Sequence, residues 1–209
     1  MSRTTVHLLR HGEVHNPDQV LYGRLPGFNL SERGAQQAKV VAAALADEDI
    51  AVLLASPLER AQQTAAPIAE SHGLEILGEP NLIEAANVFE GKRMAVGDGA
   101  LRHPSAWPKL WNPFRPSWGE PYAQIAERMR EAVYRARDLA EGRTALCVSH
   151  QLPIWTARRD FENKRRWHDP RQRQCGLASL TSLVFEGDQL VELRYREPAG
   201  ASDPRVTGA

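Results

Sequence analysis

The sequence predicts an α/β fold in which helices cover both faces of a largely parallel central sheet. Short apolar runs of strand length recur along the chain, and amphipathic segments of helix length separate them. The chain has 209 residues, close to one ordinary domain, and 42% of them are hydrophobic, which is enough for a sizeable core. We therefore expect one three-layer α/β/α domain over residues 1–197.

The N-terminal part predicts a buried strand followed by a helix. Residues 4–10 are apolar and β-branched, which is typical of a strand buried on both faces. Ser31 is a preferred N-cap residue and predicts a helix that ends near Asp47. The residues expected on its buried face are Ala35, Ala38, Val41, Ala42 and Leu45. Residues 50–55 predict the second buried strand.

A second helix is predicted directly after that strand. Ser56 and Pro57 repeat the start signal, with serine as N-cap and proline at the first helical position. Its expected inward residues are Leu58, Ala61, Ala65 and Ile68. Gly73 is typical of a helix end, and residues 74–77 predict another short strand.

The C-terminal part continues the alternation and ends in a hairpin. Residues 122–140 predict a helix rich in Glu, Arg and Ala, and residues 144–149 predict a third strong apolar strand. The runs 180–185 and 190–195 flank Gly187-Asp188, which predicts a hairpin at the sheet edge.

Two segments fall outside this pattern. Residues 93–119 are rich in Pro, Gly and Trp without a sustained period, which indicates an insertion or lid. Residues 198–209 combine Pro, Gly, Ala, Ser and Asp, and we expect a disordered tail there.

Charge and composition exclude several classes of partner. Lys plus Arg and Asp plus Glu both total 26, so no overall basic field favours nucleic acid. No apolar run approaches the length of a membrane span and no signal-peptide core is visible, so we expect a cytoplasmic protein without membrane contact. Cys147 and Cys175 lack metal-ligand spacing, and no metal site is expected.

Phosphate-binding residue types stand at the ends of three predicted strands. Arg10 and His11 follow the first strand, the segment Ser56 to Arg60 follows the second, and Ser149-His150 ends the third. In an α/β sheet the carboxyl ends of parallel strands meet at one edge, where ligands bind. Two arginines and two histidines are therefore expected to line a single site.

These residue types suit phosphoryl transfer. Two guanidinium groups offer planar, permanently charged forks for the oxygens of a transferring phosphoryl group. Imidazole attacks phosphorus only through an unprotonated nitrogen, and its unperturbed pKa is about 6.5. Nearby Arg10 and Arg60 favour the neutral form of His11, so these residues could activate one another.

The motif Leu8 to Glu13 resembles the signature of the histidine phosphatase superfamily, which includes cofactor-dependent phosphoglycerate mutases and many phosphomonoesterases. Residues 30–34, 55–65 and 148–150 resemble further segments of that family. The resemblance covers most of residues 4–155. It implies a phosphoglycerate mutase-like fold.

The resemblance also implies roles for individual residues. His11 would form the phosphohistidine, and the rest of the phosphate site would be Arg10, Arg60 and His150. The family's proton donor is a carboxyl group between the second arginine and the second histidine. Glu84 fits that place as general acid and then base, with Glu90 as the other candidate.

Four residues are expected to contact substrate: Asn16, Gly23, Arg24 and Gln151. The family often places Ser or Thr after the motif's Glu and Asn three residues later. Here Val14 takes the first place and Asn16 comes one residue early. Gly23 and Arg24 lie where relatives bring a loop to the substrate.

The resemblance implies a phosphomonoester hydrolase that acts on a small phosphorylated metabolite without metal or cofactor. Two alternatives stay open: a phosphoglycerate mutase, or a catalytically weak regulator that binds phosphorylated ligands. Mutases carry Tyr three residues after the acid, where this chain has Asn87, and hydrolysis is therefore favoured. A homodimer also stays open.

Overall fold

Six strands form one sheet in the order β3-β2-β4-β1-β5-β6. The computed structural model describes residues 2–92, 119–169 and 172–201. The strands are β1 (Arg3–Arg10), β2 (Ile50–Ala55), β3 (Ile76–Gly78), β4 (Thr144–Ser149), β5 (Leu180–Glu186) and β6 (Gln189–Arg196). Strands β3, β2, β4 and β1 are parallel, whereas β5 and β6 are antiparallel and close one edge as a hairpin.

Helices cover both faces of the sheet, which confirms the predicted α/β/α layers. The helices are α1 (Glu32–Ala44), α2 (Glu59–His72), α3 (Tyr122–Ala140) and α4 (Gln151–Phe161), and a 3-10 turn covers Pro80–Leu82. Helices α3 and α4 pack with one buried group of apolar side chains, and α1 and α2 pack with the other. No helix in the described ranges has the length and apolar character needed to span a bilayer.

The alternation of side chains along β4 explains why its sequence is continuously apolar. Ala145 and Cys147 belong to the core on the α3 side, whereas Leu146 and Val148 belong to the core on the α1 side. Successive residues of a strand point to opposite faces, so a strand covered on both sides needs apolar residues throughout.

The predicted N-cap of helix α1 is confirmed, but one residue of its predicted buried face is exposed. The Ser31 hydroxyl accepts a hydrogen bond from the Gly34 amide at 3.0 Å. Ala35 is exposed, so its predicted burial was wrong. The buried positions instead follow steps of three and four residues from Gly34, which leaves Ala35 outside the buried stripe. The helix ends at Ala44, slightly before the predicted end.

The predicted start of α2 was wrong. The helix begins at Glu59 after an extended Leu58, which makes no side-chain cap. Ser56 lies before the N-cap position, and its hydroxyl accepts from the Leu58 amide at 3.4 Å and lies 2.8 Å from Nε2 of His150. The predicted end is confirmed, since Gly73 adopts a left-handed conformation with φ of 63°.

The remaining elements match the predictions closely. The bounds of α3 and β4 agree with the sequence pattern, the hairpin is present, and β3 lies slightly later than expected. The segment predicted as a lid lies outside the described residues except for Gly119, which forms an isolated bridge with Asn87. The tail is described as far as Ala201, and Ala199 packs against the core on the α1 side.

The strand order positions the residues expected to carry chemistry. Strand β4 lies between β2 and β1, and it is parallel to both. The register pairs Arg10 with Ser149 and Ala55 with Val148, so the carboxyl ends of the three strands lie side by side.

Candidate active site

His11 is held at the end of β1 with one ring nitrogen available. Its backbone amide donates to the Ser149 carbonyl at 3.1 Å, and its side chain is almost fully buried. Nδ1 lies 2.8 Å from the Gly12 carbonyl oxygen, which can only accept, so Nδ1 carries the proton. The lone pair is therefore on Nε2, which forms no hydrogen bond with the described residues.

The surroundings keep His11 neutral. Its pKa is lowered well below the ordinary value of 6.5, first by burial and then by the positive charges of Arg60 and Arg10. The bond to Gly12 opposes this shift without reversing it. A neutral imidazole with a free Nε2 lone pair is a nucleophile at physiological pH.

His150 lies beside His11, with their ring centroids 5.1 Å apart. It is completely buried, and its Nε2 lies 2.8 Å from the Ser56 hydroxyl. Its Nδ1 is buried and has no hydrogen-bond partner in the described part of the chain. Burial, then His11, then the arginines lower its pKa well below 6.5. A buried polar atom without a hydrogen-bond partner is well placed to form a hydrogen bond with a bound ligand.

Arg60 brings N–H groups without hydrogen-bond partners to the site of His11 and His150. Its side chain is fully buried, and its Nη2 donates to the Gly23 carbonyl at 2.6 Å. Nε and Nη1 are buried without a partner among residues that the structure describes. Burial lowers the pKa of Arg60, but the guanidinium stays charged. Arg10 lies nearby and donates from Nη1 to the Cys175 carbonyl at 2.7 Å.

Glu84 supplies a buried carboxyl group. The Ser149 hydroxyl donates to the Leu82 carbonyl at 2.7 Å, which ties the segment before Glu84 to the end of β4. Oε1 of Glu84 accepts from the Ala85 amide at 2.8 Å, whereas Oε2 has no hydrogen bond to the described residues. Burial raises the pKa of Glu84, opposed by the Ala85 amide and then by Arg60 and Arg10. The raised pKa favours a proton donor.

Glu90, the other candidate for the proton donor, instead accepts hydrogen bonds from backbone amides. Its Oε1 accepts from the amides of Arg24 and Asn87, both at 3.1 Å. Gly23 has a φ of 40°, and a Cβ there would lie 2.3 Å from the same oxygen. Glu90 therefore ties the loop at residues 23–24 to residue 87, which lies three residues after Glu84.

The loop that carries His11 rests directly on the first turn of α1. A Cβ on Gly12 would lie 2.6 Å from the Gly34 carbonyl oxygen, and a Cβ on Gly34 would lie 2.0 Å from the Glu13 carbonyl oxygen. Both approaches are shorter than real Cβ contacts, so two glycines allow the backbones to meet.

The family model of the histidine phosphatase superfamily (branch 1) matches residues 6–198. The chain belongs to this superfamily. The model covers all of the strand ends that carry the site residues.

Relatives and a solved structure agree with this membership. Rv0525 of Mycobacterium tuberculosis is 60% identical over 196 residues, covering 94% of this chain and 97% of the relative. Phosphoserine phosphatase 1 of Hydrogenobacter thermophilus is 32% identical over 155 residues, covering 70% and 71%. The structure of Bacillus stearothermophilus YhfR has a TM-score of 0.75 at 27% identity, covering 90% and 94%.

In this histidine phosphatase family member, Arg24 contacts the backbone of Glu84 rather than its carboxyl group. Arg24 Nε donates to the Glu84 carbonyl at 2.6 Å, and Nη2 donates to Glu120 at 2.9 Å. Glu120 also accepts from Nε and Nη2 of Arg128. In this arrangement Arg24 orders the backbone of the acid segment, and its predicted contact with substrate stays a prediction.

The other predicted substrate contacts lie around the site. The Asn16 amide forms two hydrogen bonds with the Val20 backbone, at 2.8 and 3.1 Å, and so holds its own loop. Gly23 contributes its carbonyl to Arg60. Gln151 is half-buried and lies 3.4 Å from the Cys175 carbonyl through its Nε2. Binding of substrate by these residues stays a prediction.

Sequence reasoning missed functional groups that the fold brings to the site. The Tyr22 hydroxyl is buried without a hydrogen-bond partner in the described ranges, and its ring lies under the Arg60 guanidinium at 4.7 Å. Ser56 was expected in a segment of the site but as a helix cap, and its hydroxyl instead contacts His150. Arg173 belongs to a loop without a motif, so no pattern in the sequence indicated its place near Glu84.

Proposed function

We propose that this histidine phosphatase family member hydrolyses phosphomonoesters of small metabolites through a phosphohistidine at His11. The observation that carries the proposal is the neutral His11 ring, whose proton is on Nδ1 and whose Nε2 lone pair is available. The buried carboxyl of Glu84 and the unused donors of Arg60 complete the groups that the reaction needs.

The dianionic phosphoryl group would bind to the donors that the fold leaves unmet. Nε and Nη1 of Arg60 and Nδ1 of His150 are buried without partners in the described structure. Nδ1 of His150 is a donor in the tautomer whose Nε2 accepts from the Ser56 hydroxyl. Hydrogen bonds from a charged guanidinium to phosphoryl oxygens are stronger than those between neutral groups. The same contacts neutralise charge on the equatorial oxygens in the transition state.

In the first chemical step, Nε2 of His11 forms a bond to phosphorus while the phosphorus–oxygen ester bond breaks. The leaving oxygen takes a proton from the Glu84 carboxyl, so the alcohol departs neutral. In the second step, the Glu84 carboxylate accepts a proton from water as that water attacks phosphorus. The nitrogen–phosphorus bond then breaks, which releases phosphate and restores neutral His11.

The relative named phosphoserine phosphatase 1 supports a phosphomonoester as the substrate class. We propose a cytoplasmic enzyme that acts on a small phosphorylated molecule rather than on nucleic acid or a membrane. The proposed mechanism uses side chains of this chain and one water molecule, and it requires no metal or cofactor. We expect a divalent-metal chelator to leave turnover unchanged, and loss of activity that a divalent ion restores would contradict the metal-free mechanism.

Rapid-quench labelling tests the proposal. A phosphomonoester carrying labelled phosphate should leave acid-labile, base-stable label on the wild-type protein, and free phosphate should appear at the same turnover rate. His11→Ala should abolish both signals because no neighbouring atom can replace Nε2. His15→Ala removes an exposed histidine of the same loop and should label as the wild type does.

Two outcomes would contradict the proposal. Equal labelling of His11→Ala would exclude His11 as the nucleophile. Transfer of the label to an added sugar acid, without release of free phosphate, would indicate a mutase.

A further inference from the structure

Arg173 is a third arginine near the candidate site, on the loop between α4 and β5. Its Nε donates to Nε2 of His168 at 2.8 Å, and its Nη1 lies 3.4 Å from Oε1 of Gln151. Nη2 forms no hydrogen bond with the described residues. His168 is buried, and its Nδ1 donates to the Arg166 carbonyl at 2.8 Å. That bond leaves Nε2 of His168 as an acceptor, which orients the Arg173 guanidinium.

A chain of contacts links Arg173 to Arg10, one of the groups proposed to bind phosphate. Gln151 follows His150 directly, and its Nε2 lies 3.4 Å from the Cys175 carbonyl. Arg10 donates to that same carbonyl at 2.7 Å. Arg173 and Arg10 are therefore linked through Gln151 and Cys175.

Arg173 also lies on the side of the proton donor. Burial raises the pKa of Glu84 and the charge of Arg173 partly opposes that rise, while burial lowers the pKa of Arg173 and the charge of Glu84 partly opposes that fall. In the proposed mechanism, Glu84 faces the leaving oxygen of the ester. A group near Glu84 is therefore placed toward the organic part of the substrate rather than toward the phosphoryl oxygens alone.

The charge of Arg173 has no carboxylate partner among the described residues. Loss of hydration is the largest influence on its pKa, which is lowered. The Arg173 side chain is only partly exposed, and a partly desolvated cation is stabilised when an anion pairs with it. Arg60 and His150 already offer unmet donors for the phosphoryl group, so Arg173 is left to serve a second anionic group.

We propose that Arg173 binds a carboxylate of the substrate, so that the preferred phosphomonoesters carry a carboxylate close to the ester oxygen. The inference rests on the proposed function and specifies its substrate class. The planar guanidinium fork matches a carboxylate in geometry, which an ammonium group does not. His168 is the positioning residue for this contact, and Gln151 supports the second arm of the fork.

Matched substrate pairs test the proposal. O-phosphoserine and O-phosphoethanolamine differ only by a carboxylate, and 3-phosphoglycerate and glycerol 3-phosphate form a second pair. A charge-assisted contact predicts a preference of roughly ten- to hundredfold in kcat/KM for the carboxylated member. Arg173→Gln should bring this ratio close to one, and Arg173→Lys should give an intermediate ratio.

The control variant is Arg165→Gln, which removes the same charge from an exposed position of the same loop. It should keep the wild-type ratio. Thermal unfolding followed by circular dichroism checks each variant, and Arg173→Lys carries the test if Arg173→Gln does not fold. A wild-type ratio near one, or an unchanged ratio in folded Arg173→Gln or Arg173→Lys, overturns the proposal.

Failure of the two proposals can be told apart. If neither these esters nor nitrophenyl phosphate are hydrolysed, the proposed function is wrong. Calorimetric titration with 3-phosphoglycerate and glycerol 3-phosphate then measures the same preference as a ratio of Kd values. Tighter binding of 3-phosphoglycerate that Arg173→Gln abolishes would support the carboxylate site, and equal binding would overturn it.

Discussion

Replacing Glu84 by glutamine removes the proposed proton donor while sparing its structural contact. Oε1 of Glu84 accepts a hydrogen bond from the Ala85 amide at 2.8 Å, and the amide oxygen of glutamine can keep that bond. The substitution removes the transferable proton from a side chain that is 8% exposed. A loss of activity can then be attributed to proton transfer rather than to the local fold.

The size of the loss depends on the leaving group. A correctly placed general acid is typically worth about 10²–10⁴-fold when the departing alkoxide is a strong base. Nitrophenolate departs readily without a proton, so it needs little of this help. We therefore expect Glu84→Gln to slow hydrolysis of an alkyl phosphate by about 10²-fold or more, and of nitrophenyl phosphate by far less.

Single-turnover phosphorylation of His11 is the appropriate assay, because it isolates the step in which the acid acts. The pH dependence gives a second readout. Since burial raises the pKa of Glu84, its protonated form persists to higher pH than in an ordinary glutamate. Wild-type hydrolysis of the alkyl substrate should decline as pH rises through that pKa, and the decline should be absent in Glu84→Gln.

Glu90→Gln is the matched control, since Glu90 accepts two backbone amides and its glutamine analogue can still accept them. It should retain the wild-type dependence on leaving group. Equal losses for both substrates in Glu84→Gln, or a selective loss in Glu90→Gln alone, would refute the assignment of the acid.

Three further substitutions test the site and the fold. Arg60→Lys keeps the charge but loses the fork, so kcat/KM for nitrophenyl phosphate should fall about 10²-fold or more, and near-normal activity would contradict its role. Tyr22→Phe removes a hydroxyl that has no partner in the described structure, so Tm should not fall, whereas kcat/KM should drop about tenfold if that hydroxyl binds phosphate. The hydrogen bond to His7 is the main cause that lowers the pKa of Glu48 from 4.5 to about 2. Glu48→Gln should therefore reduce the free energy of unfolding at pH 7 by about 1–2 kcal/mol, allowing for partial exposure, and urea unfolding should show this loss vanishing as pH falls from 4.5 toward 2.

The groups proposed to bind phosphate could be predicted because each lies at, or within a few residues of, the end of a strand with a strong local pattern. Arg10 and His150 stand at the ends of β1 and β4, and parallel pairing necessarily brings those ends to one edge. Glu84 needed the family resemblance as well, since its segment has only a short 3-10 turn before it.

Tertiary contacts explain what the sequence pattern could not predict. Ser56-Pro57 has the form of a helix start, yet the Ser56 hydroxyl contacts His150, a residue 94 positions away. Arg173 is oriented by His168 and Gln151, and its loop has neither a periodic pattern nor a motif. Such contacts depend on how loops from different elements pack, which local propensity does not encode.

The close approach of Gly12 and Gly34 makes the first turn of α1 a support for the loop of the proposed nucleophile, although this turn holds no reacting group. In a directed-evolution library that varies the surface of this helix, we expect most exposed positions to tolerate substitution. We expect Gly34 to tolerate almost none. Even alanine at position 34 would push the nucleophile's loop aside. Selection for new substrates would therefore have to leave Gly12 and Gly34 unchanged and act at other positions.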